Sequence, residues 1–297
     1  MPTRPSLRRL IAVLAVCCAT VACSDDDDAP PSADPSSTST TAPATSTTRT
    51  VVQLSVVVSE HGVLGSWEGG RWVQAQAGSP SPFAAGQPYS VVHLSGPLRS
   101  ATAVGPGDES EFCNAPQVVL DPPLPGSAEI DDLAPVAVHG VPDPQIRPVA
   151  VLDPGGAVYR DAAAEVLADL AVEDGDPDVV QVVRADLSGD GTDEVLVVAE
   201  QVAQPQGVIA EPGDYSVLFL RQVVDGEVRT TVIDEHRSTE ESGPYLLSHR
   251  VGALADLNGD GALEVVVQTQ YYEGAATQVY ELGAGGLEEV LAAGCGV

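Results

Sequence analysis

Two short acidic segments carry the residue types and spacing that metal chemistry requires. They are Asp186-Leu-Ser-Gly-Asp-Gly-Thr-Asp-Glu194 and Asp256-Leu-Asn-Gly-Asp-Gly-Ala-Leu-Glu264. Both place side-chain oxygens at positions one, three, five and nine, a glycine at position six and a main-chain carbonyl at position seven. A hard cation that takes roughly six to eight oxygens from a tight turn needs such an arrangement, so both segments are predicted to bind Ca²⁺. The predicted ligands are Asp186, Ser188, Asp190, the carbonyl of Thr192, and Glu194 in the first loop, and Asp256, Asn258, Asp260, the carbonyl of Ala262, and Glu264 in the second.

An EF-hand does not explain these segments. That motif needs a bidentate Glu at loop position twelve and a helix on either side, but position twelve is Val197 and Val267. The flanking runs are rich in β-branched residues and predict strands, so each segment is expected to join two antiparallel strands. The alternative interpretation is that both are ordinary Asp-Gly hairpin turns without metal.

On these residues the chain resembles the FG-GAP and VCBS-type repeats, the calcium-loop blades of integrin-like β-propellers. Their Asp-x-Asn-Gly-Asp-Gly-x-x-Asp core is matched at Asp256, Asn258, Asp260 and Glu264, and more loosely in the first loop, where Ser188 replaces Asn. Glu stands at position nine in both loops, and the Gly-Ala-Pro sequence that names one family is absent. The resemblance implies structural calcium in four-stranded antiparallel blades.

The strand pattern around the loops predicts two four-stranded units. Their strands are Val179–Ala185, Val195–Gln201, Tyr215–Val223 and Glu227–Ile233, then Leu246–Ala255, Val265–Tyr271, Thr277–Leu282 and Leu287–Ala292. The predicted fold class is mainly β: a partial or small β-propeller-like array of four-stranded antiparallel blades with one packed helix. Because the chain supplies at most about four blades, the low end for a closed propeller, the alternative is a β-sandwich of blade-like sheets.

The rest of the folded region is predicted from shorter patterns. Expected strands are Val51–Ser59, a hairpin within His61–Gln76, Tyr89–Leu94, Val118–Leu120 and Val136–His139. The remainder of Gly96–Pro148 is rich in proline and is interpreted as a long irregular loop. One amphipathic helix is expected over Ala157–Val172, with a structural role. Residues 51–150 are thus an N-terminal β region with irregular Pro-rich loops, and 151–297 the helix with two calcium-loop repeats.

The N-terminus resembles a bacterial lipoprotein signal peptide over residues 1–22. Arg4, Arg8 and Arg9 precede the apolar run Leu10–Val21, which ends just before Cys23. The resemblance implies cleavage before Cys23, lipid on its thiol, export, and anchoring at the outer face of the cytoplasmic membrane. An ordinary secretory peptide is the alternative. Residues 23–50 then form a lipidated Cys and an acidic, Ser/Thr/Pro-rich tether that cannot bury enough apolar surface to fold.

Two cysteines remain after the signal peptide and Cys23 are set aside. They are Cys113 and Cys295, and in an oxidising compartment such a pair predicts a disulfide. The alternative is two separate free thiols.

The net charge of the chain limits the classes of partner that it can bind. The chain has 13 basic residues, all Arg, against 43 acidic ones, a net charge of −30. This balance argues against nucleic acid and anionic lipid surfaces, which are bound through basic patches, and favours cations.

The function predicted from these features is a membrane-tethered, calcium-stabilised β-repeat domain that binds an unknown protein or glycan. Tyr271 and Tyr272 are the candidate contact residues. The alternative is an exported hydrolase or lyase, although neither Gly-x-Ser-x-Gly nor His-Glu-x-x-His occurs and no catalytic residue is singled out. The five histidines are dispersed along the chain without a spacing typical of a metal site or a triad.

Overall fold

A computed structural model describes residues 54–296, apart from 80–81, 97, 128–129, 173–175, 204–209 and 241–244. In these ranges the chain is mainly β, with antiparallel strand pairing throughout the named strands and one α-helix. The predictions for the signal peptide, Cys23, the tether and residues 51–53 lie outside the described residues. No helix in the described ranges is long and apolar enough to span a membrane.

Seven strands of the N-terminal half form one sheet. They are β1 (Leu54–Ser59), β2 (Gly62–Glu68), β3 (Trp72–Gln74), β4 (Pro88–Val92), β5 (Arg99–Pro106), β6 (Val118–Asp121) and β7 (Val136–His139), in the order β3-β2-β1-β7-β4-β5-β6. The predicted hairpin is the edge of this sheet. The interpretation of Gly96–Pro148 as irregular is wrong for β5, whose Ala101 and Ala103 are buried between exposed residues.

The first predicted repeat forms most of a five-stranded sheet. Its strands are β9 (Val179–Ala185), β10 (Glu194–Gln201), β11 (Tyr215–Val224) and β12 (Glu227–Arg237), which pair in sequence order. A strand that was not predicted, β8 (Ala150–Leu152), pairs with β9. Helix α1 (Ala157–Asp169) packs on this sheet through Ala163, Val166 and Leu167, and it ends short of the predicted Val172.

The second predicted repeat is a four-stranded sheet in sequence order. Its strands are β13 (Ser248–Ala255), β14 (Glu264–Tyr271), β15 (Gly274–Gly283) and β16 (Gly286–Gly296). Alternate residues of β14 enter different cores: Val266 packs with the seven-stranded sheet, whereas Val265 and Val267 pack with the five-stranded sheet. The four-stranded sheet is therefore the middle layer of three.

The predicted disulfide is confirmed. Cys113, in the loop between β5 and β6, bonds to Cys295 of β16 with an S–S distance of 2.02 Å. Main-chain hydrogen bonds flank it, from the Asn114 N–H to the Gly294 carbonyl and from the Gly296 N–H to the Phe112 carbonyl. The bond thereby links the seven-stranded sheet to the last strand of the chain.

Candidate metal centre

The second acidic loop is a tight turn between β13 and β14. The Asp256 carboxylate accepts hydrogen bonds from the N–H groups of Gly259 (2.5 Å) and Gly261 (3.0 Å). Both glycines have left-handed φ angles, 78° and 95°, which residues with a Cβ rarely adopt. Asn258 Oδ1 accepts from the Asp260 N–H at 2.8 Å. These internal hydrogen bonds are sufficient to form the turn, so the shape of the turn is not evidence for a cation.

Glu264 is the residue that the turn leaves unsatisfied. It begins β14 and its side chain is 0% exposed. Its Oε2 accepts a 2.6 Å hydrogen bond from the Leu257 N–H, but its Oε1 is buried with no hydrogen-bond partner. Burial raises the pKa of Glu264 well above its usual value, and the nearby carboxylates of Asp260, Asp256 and Glu281 raise it further. A carboxylate buried in this way either keeps its proton or binds a positive partner.

The structure adds Glu281, which sequence analysis missed. Ligand oxygens of Asp260, Glu264 and Glu281 all lie within 4.8 Å of one another. Burial and the Asp260 carboxylate raise the pKa of Glu281, while a 3.2 Å hydrogen bond from Trp72 Nε1–H to its Oε2 opposes this rise. Oxygens bound to one Ca²⁺ at about 2.3 to 2.6 Å lie at most about 5 Å apart, so this cluster fits one ion.

The first loop has the same turn but different surroundings. The Asp186 carboxylate accepts from the N–H groups of Gly189 (2.6 Å) and Gly191 (3.1 Å), and Glu194 Oε2 accepts from the Leu187 N–H at 2.8 Å. Ser188 and Asp190 are exposed. Burial raises the pKa of Glu194, less strongly than that of Glu264.

The remaining predicted ligand positions keep the local geometry of the turn. The N–H groups of Thr192 and Ala262 donate to Asp190 Oδ1 (2.7 Å) and Asp260 Oδ1 (2.8 Å). The residue at position seven therefore has the same hydrogen bond to the carboxylate at position five in both loops.

Arg147 joins the two loops. Its Nε–H donates to the Asp186 carbonyl at 2.6 Å, and its Nη2 donates to the carbonyls of Leu187 (3.0 Å) and Gly261 (2.6 Å). The Leu263 N–H also donates to the Leu187 carbonyl at 2.8 Å. The two loops are therefore neighbours in space. The sequence around Arg147 contains no local pattern that predicts this contact.

The structure also brings together Ser216, Asp234 and His249, the residue types of a hydrolase triad. Ser216 Oγ lies 3.0 Å from His249 Nδ1, and His249 Nε2 lies 3.2 Å from Asp234 Oδ2, without good hydrogen-bond geometry. Contact with His249 lowers the pKa of Asp234. Ser216 and His249 are both 0% exposed, and Ser216 Oγ also accepts from the His249 N–H at 3.2 Å. A substrate has no access to this serine, so the Ser216–His249 contact is a buried polar link between β11 and β13, with the partly exposed Asp234 of β12 beside it.

The two candidate contact residues lie beside a surface groove. Tyr272 is 46% exposed and stacks on Tyr245, with ring centroids 5.7 Å apart and ring planes 8° apart. Tyr271 meets Tyr272 edge-on and lines a groove of about 460 Å³, together with Phe112 and the disulfide. The structure therefore adds Tyr245 and Phe112 to the aromatic surface that the sequence indicated.

No protein family, curated protein or solved structure matches this chain. The geometry of the two loops and of the aromatic surface is therefore the basis for a functional hypothesis.

Proposed function

We propose that this chain is a calcium-stabilised β-repeat domain of the FG-GAP/VCBS type, displayed outside the cytoplasmic membrane on a lipid-anchored tether. The observation that carries the proposal is the buried Oε1 of Glu264, which has no hydrogen-bond partner and belongs to a carboxylate next to two others. A divalent cation supplies the compensating charge and the missing bond.

The donor set favours calcium over magnesium. Mg²⁺ prefers a strict octahedron and keeps several waters, whereas Ca²⁺ accepts many carboxylate and carbonyl oxygens in a flexible shell. Asp256, Asn258, Asp260 and Glu264 supply side-chain oxygens, and Ala262 a carbonyl, from one short segment. The role of the ion is structural: it neutralises the acids and fixes the start of β14.

The sheet arrangement supports blades in an open stack. Each repeat contributes four strands in sequence order, and the four-stranded sheet buries both of its faces between neighbouring sheets. Propeller blades pack face to face in a similar way. In a closed ring, further blades would cover the outer faces of the two repeats. In this proposal the seven-stranded sheet covers the outer face of the second repeat, and α1 covers that of the first.

The ligand-binding face in this proposal is the aromatic surface of Phe112, Tyr245, Tyr271 and Tyr272, and its ligand is a cell-envelope polysaccharide. Exposed, flat tyrosine rings offer large apolar faces with a polar hydroxyl, which suits sugar rings. The test is co-sedimentation of the protein with insoluble envelope polysaccharide. Loss of binding in Tyr245→Ala/Tyr272→Ala, with unchanged melting, supports the assignment, and unchanged binding contradicts it.

Calcium dependence is tested by thermal melting of the full chain in excess calcium and in chelator. Calcium should raise the melting temperature by about 2 to 4 °C for each kcal/mol that its binding adds to the free energy of unfolding. Asp260→Ala should abolish most of this rise, whereas Asp161→Ala, on the exposed face of α1, should preserve it. Identical melts in calcium and chelator would rule the calcium proposal out.

The lipid anchor has its own test. Cells expressing the chain are fed an alkyne-tagged fatty acid, and the purified protein is examined for the tag. Label should be incorporated in the unmodified protein and be lost in Cys23→Ala. Label that persists in Cys23→Ala, or no label in either protein, would contradict the lipoprotein assignment.

A further inference from the structure

Glu264 and Glu281 are direct cross-strand neighbours. Val265 of β14 pairs with Tyr280 of β15 in an antiparallel register, so the preceding Glu264 lies opposite the following Glu281. Like charges in directly opposite positions destabilise a sheet. Burial of Glu264 makes the repulsion stronger, because water does not screen it. A pair of this kind is expected where a cation binds between the two carboxylates.

The first repeat lacks this pair. Val195 pairs with Arg221 in the equivalent register, so the residue opposite Glu194 is Gln222. Nothing in the nine-residue loop sequence distinguishes the two repeats in this respect. The difference comes from the third strand of each repeat, which lies outside the loop.

Glu281 also contacts the N-terminal sheet. Trp72, in β3, donates its Nε1–H to Glu281 Oε2 at 3.2 Å. Two further hydrogen bonds join β3 to the last strand: Gln74 Nε2 donates to the Ala292 carbonyl at 2.5 Å, and the Ala292 N–H donates to Gln74 Oε1 at 2.8 Å. The hairpin β2–β3 is therefore held against the four-stranded sheet partly through Glu281.

We propose that Glu281 is a further ligand of the ion in the second loop, contributed from outside the loop, and that the ion thereby fixes the β2–β3 hairpin to the four-stranded sheet through Trp72. The inference rests on the proposed calcium function. Its independent support is the proximity of the Glu281, Glu264 and Asp260 oxygens and the partnerless, fully buried Oε1 of Glu264.

Calorimetric titration of the full chain with calcium tests the ligand assignment. Glu281→Gln keeps the size of the side chain and an oxygen that accepts from Trp72, but removes the charge. It should weaken calcium binding at least about tenfold, because ligand charge sets the affinity of such sites. Glu288→Gln is the matched control: Glu288 is exposed and lies opposite Glu281 on β16. It should change the affinity less than about twofold by screened charge alone.

Terbium luminescence supplies a second readout. Tb³⁺ replaces Ca²⁺ in oxygen sites and is excited by a nearby tryptophan; the chain has two, and their rings are 5.2 Å apart. Trp72→Phe should reduce the sensitised emission more than Trp67→Phe. Emission lifetimes in H₂O and D₂O count the waters on the ion, and Glu281→Ala, which removes both side-chain oxygens, should add at least one. A merely structural role for Glu281 does not change this count.

Hydrogen exchange tests the link to the hairpin. Calcium should slow exchange of the Trp72–Gln74 amides in the unmodified protein and have no such effect in Glu281→Gln.

The outcomes separate the two proposals. Absence of calcium binding by the unmodified protein overturns the proposed function. Calcium binding that is equally strong in Glu281→Gln, or weakened equally by Glu288→Gln, leaves that function standing and overturns the ligand assignment. An unchanged water count in Glu281→Ala, or exchange at β3 that is insensitive to calcium, also overturns this inference.

Discussion

The two acidic loops have nearly the same turn but differ in burial at positions one and three, whereas position five is exposed in both and position nine is buried in both. In the first, Ser188 and Asp190 are exposed, and Arg147 supplies three hydrogen bonds to carbonyls of the two loops, two of them in the first. In the second, Asp256, Asn258 and Glu264 are buried, and a third acid, Glu281, faces Glu264. A shared nine-residue motif therefore fixes the shape of the turn, while the surrounding sheets determine its need for a cation.

The layer order explains the difference. The second loop belongs to the middle sheet, where both faces are covered, so an acid at the start of β14 loses its contact with water. The first loop belongs to an outer sheet whose far face packs against α1. Because desolvation of a charge grows with burial, the second loop is expected to depend on its ion more than the first.

The largest expected contrast is between Glu264→Gln and Glu194→Gln. At a calcium concentration about one hundred times the Kd, a bound ion stabilises the folded state by about 2.7 kcal/mol. Glu264→Gln should remove this stabilisation because it removes the buried charge. Glu194→Gln should retain most of it. Thermal melts with and without calcium measure both, and equal losses in the two variants would remove the distinction between the loops.

Replacing Arg147 tests how the loops are joined. Arg147→Ala leaves three carbonyls without a charged donor and should lower the free energy of unfolding by about 2 kcal/mol. The control is Arg184→Ala, whose 3.2 Å ion pair with Asp193 is about half exposed and should contribute less than about 1 kcal/mol. Urea unfolding provides both values. An Arg147→Ala effect no larger than that of Arg184→Ala would mean that the bridge does not stabilise the pair.

Local sequence patterns predicted the repeat strands and the turns, because both depend on near neighbours. Short apolar runs rich in Val and Leu predict β9, β10, β13 and β14, and the Asp-Gly steps predict the turns between them. The helix was predicted for the same reason: Ala163, Val166 and Leu167 share one face. The disulfide was predicted from the number of cysteines that remain if the chain is exported.

Strand β5 was missed because its buried residues are small. Ala101 and Ala103 face the core, so the apolar alternation is weak, and Gly105 and Pro106 suggest a loop. Residues that are brought together only by sheet register or by packing between elements were also missed. Glu281 lies opposite Glu264, Ser216 lies against His249, and Arg147 reaches carbonyls of both loops, each across a long sequence separation. No local pattern contains that information.

The pH dependence of the calcium-free protein should sharpen the contrast between the loops. The folded-state pKa of Glu264 is raised well above 4.5, so the native state retains a proton that the unfolded state has released. Stability from this group is complete below about pH 4.5 and is lost as pH rises towards the folded pKa, by about 1.4 kcal/mol per pH unit. Glu264→Gln should flatten this slope and saturating calcium should suppress it, whereas Glu194→Gln should change it less. Urea unfolding across that pH range would contradict this assignment if Glu264→Gln kept the full slope.

The smallest expected effect comes from transferring the cross-strand pair to the first repeat. Gln222→Glu places a carboxylate opposite Glu194, as Glu281 stands opposite Glu264. Without calcium, the new repulsion should lower the free energy of unfolding by about 0.5 kcal/mol, and calcium should reverse this loss. Gln222→Ala, which adds no charge, should show neither effect. Since the loop sequence itself is unchanged, a calcium response that is larger in Gln222→Glu than in the unmodified protein and in Gln222→Ala would mean that the third strand, and not the turn, decides whether the first repeat binds an ion. A calcium response in Gln222→Glu equal to that of the unmodified protein would show instead that burial of the loop is also required.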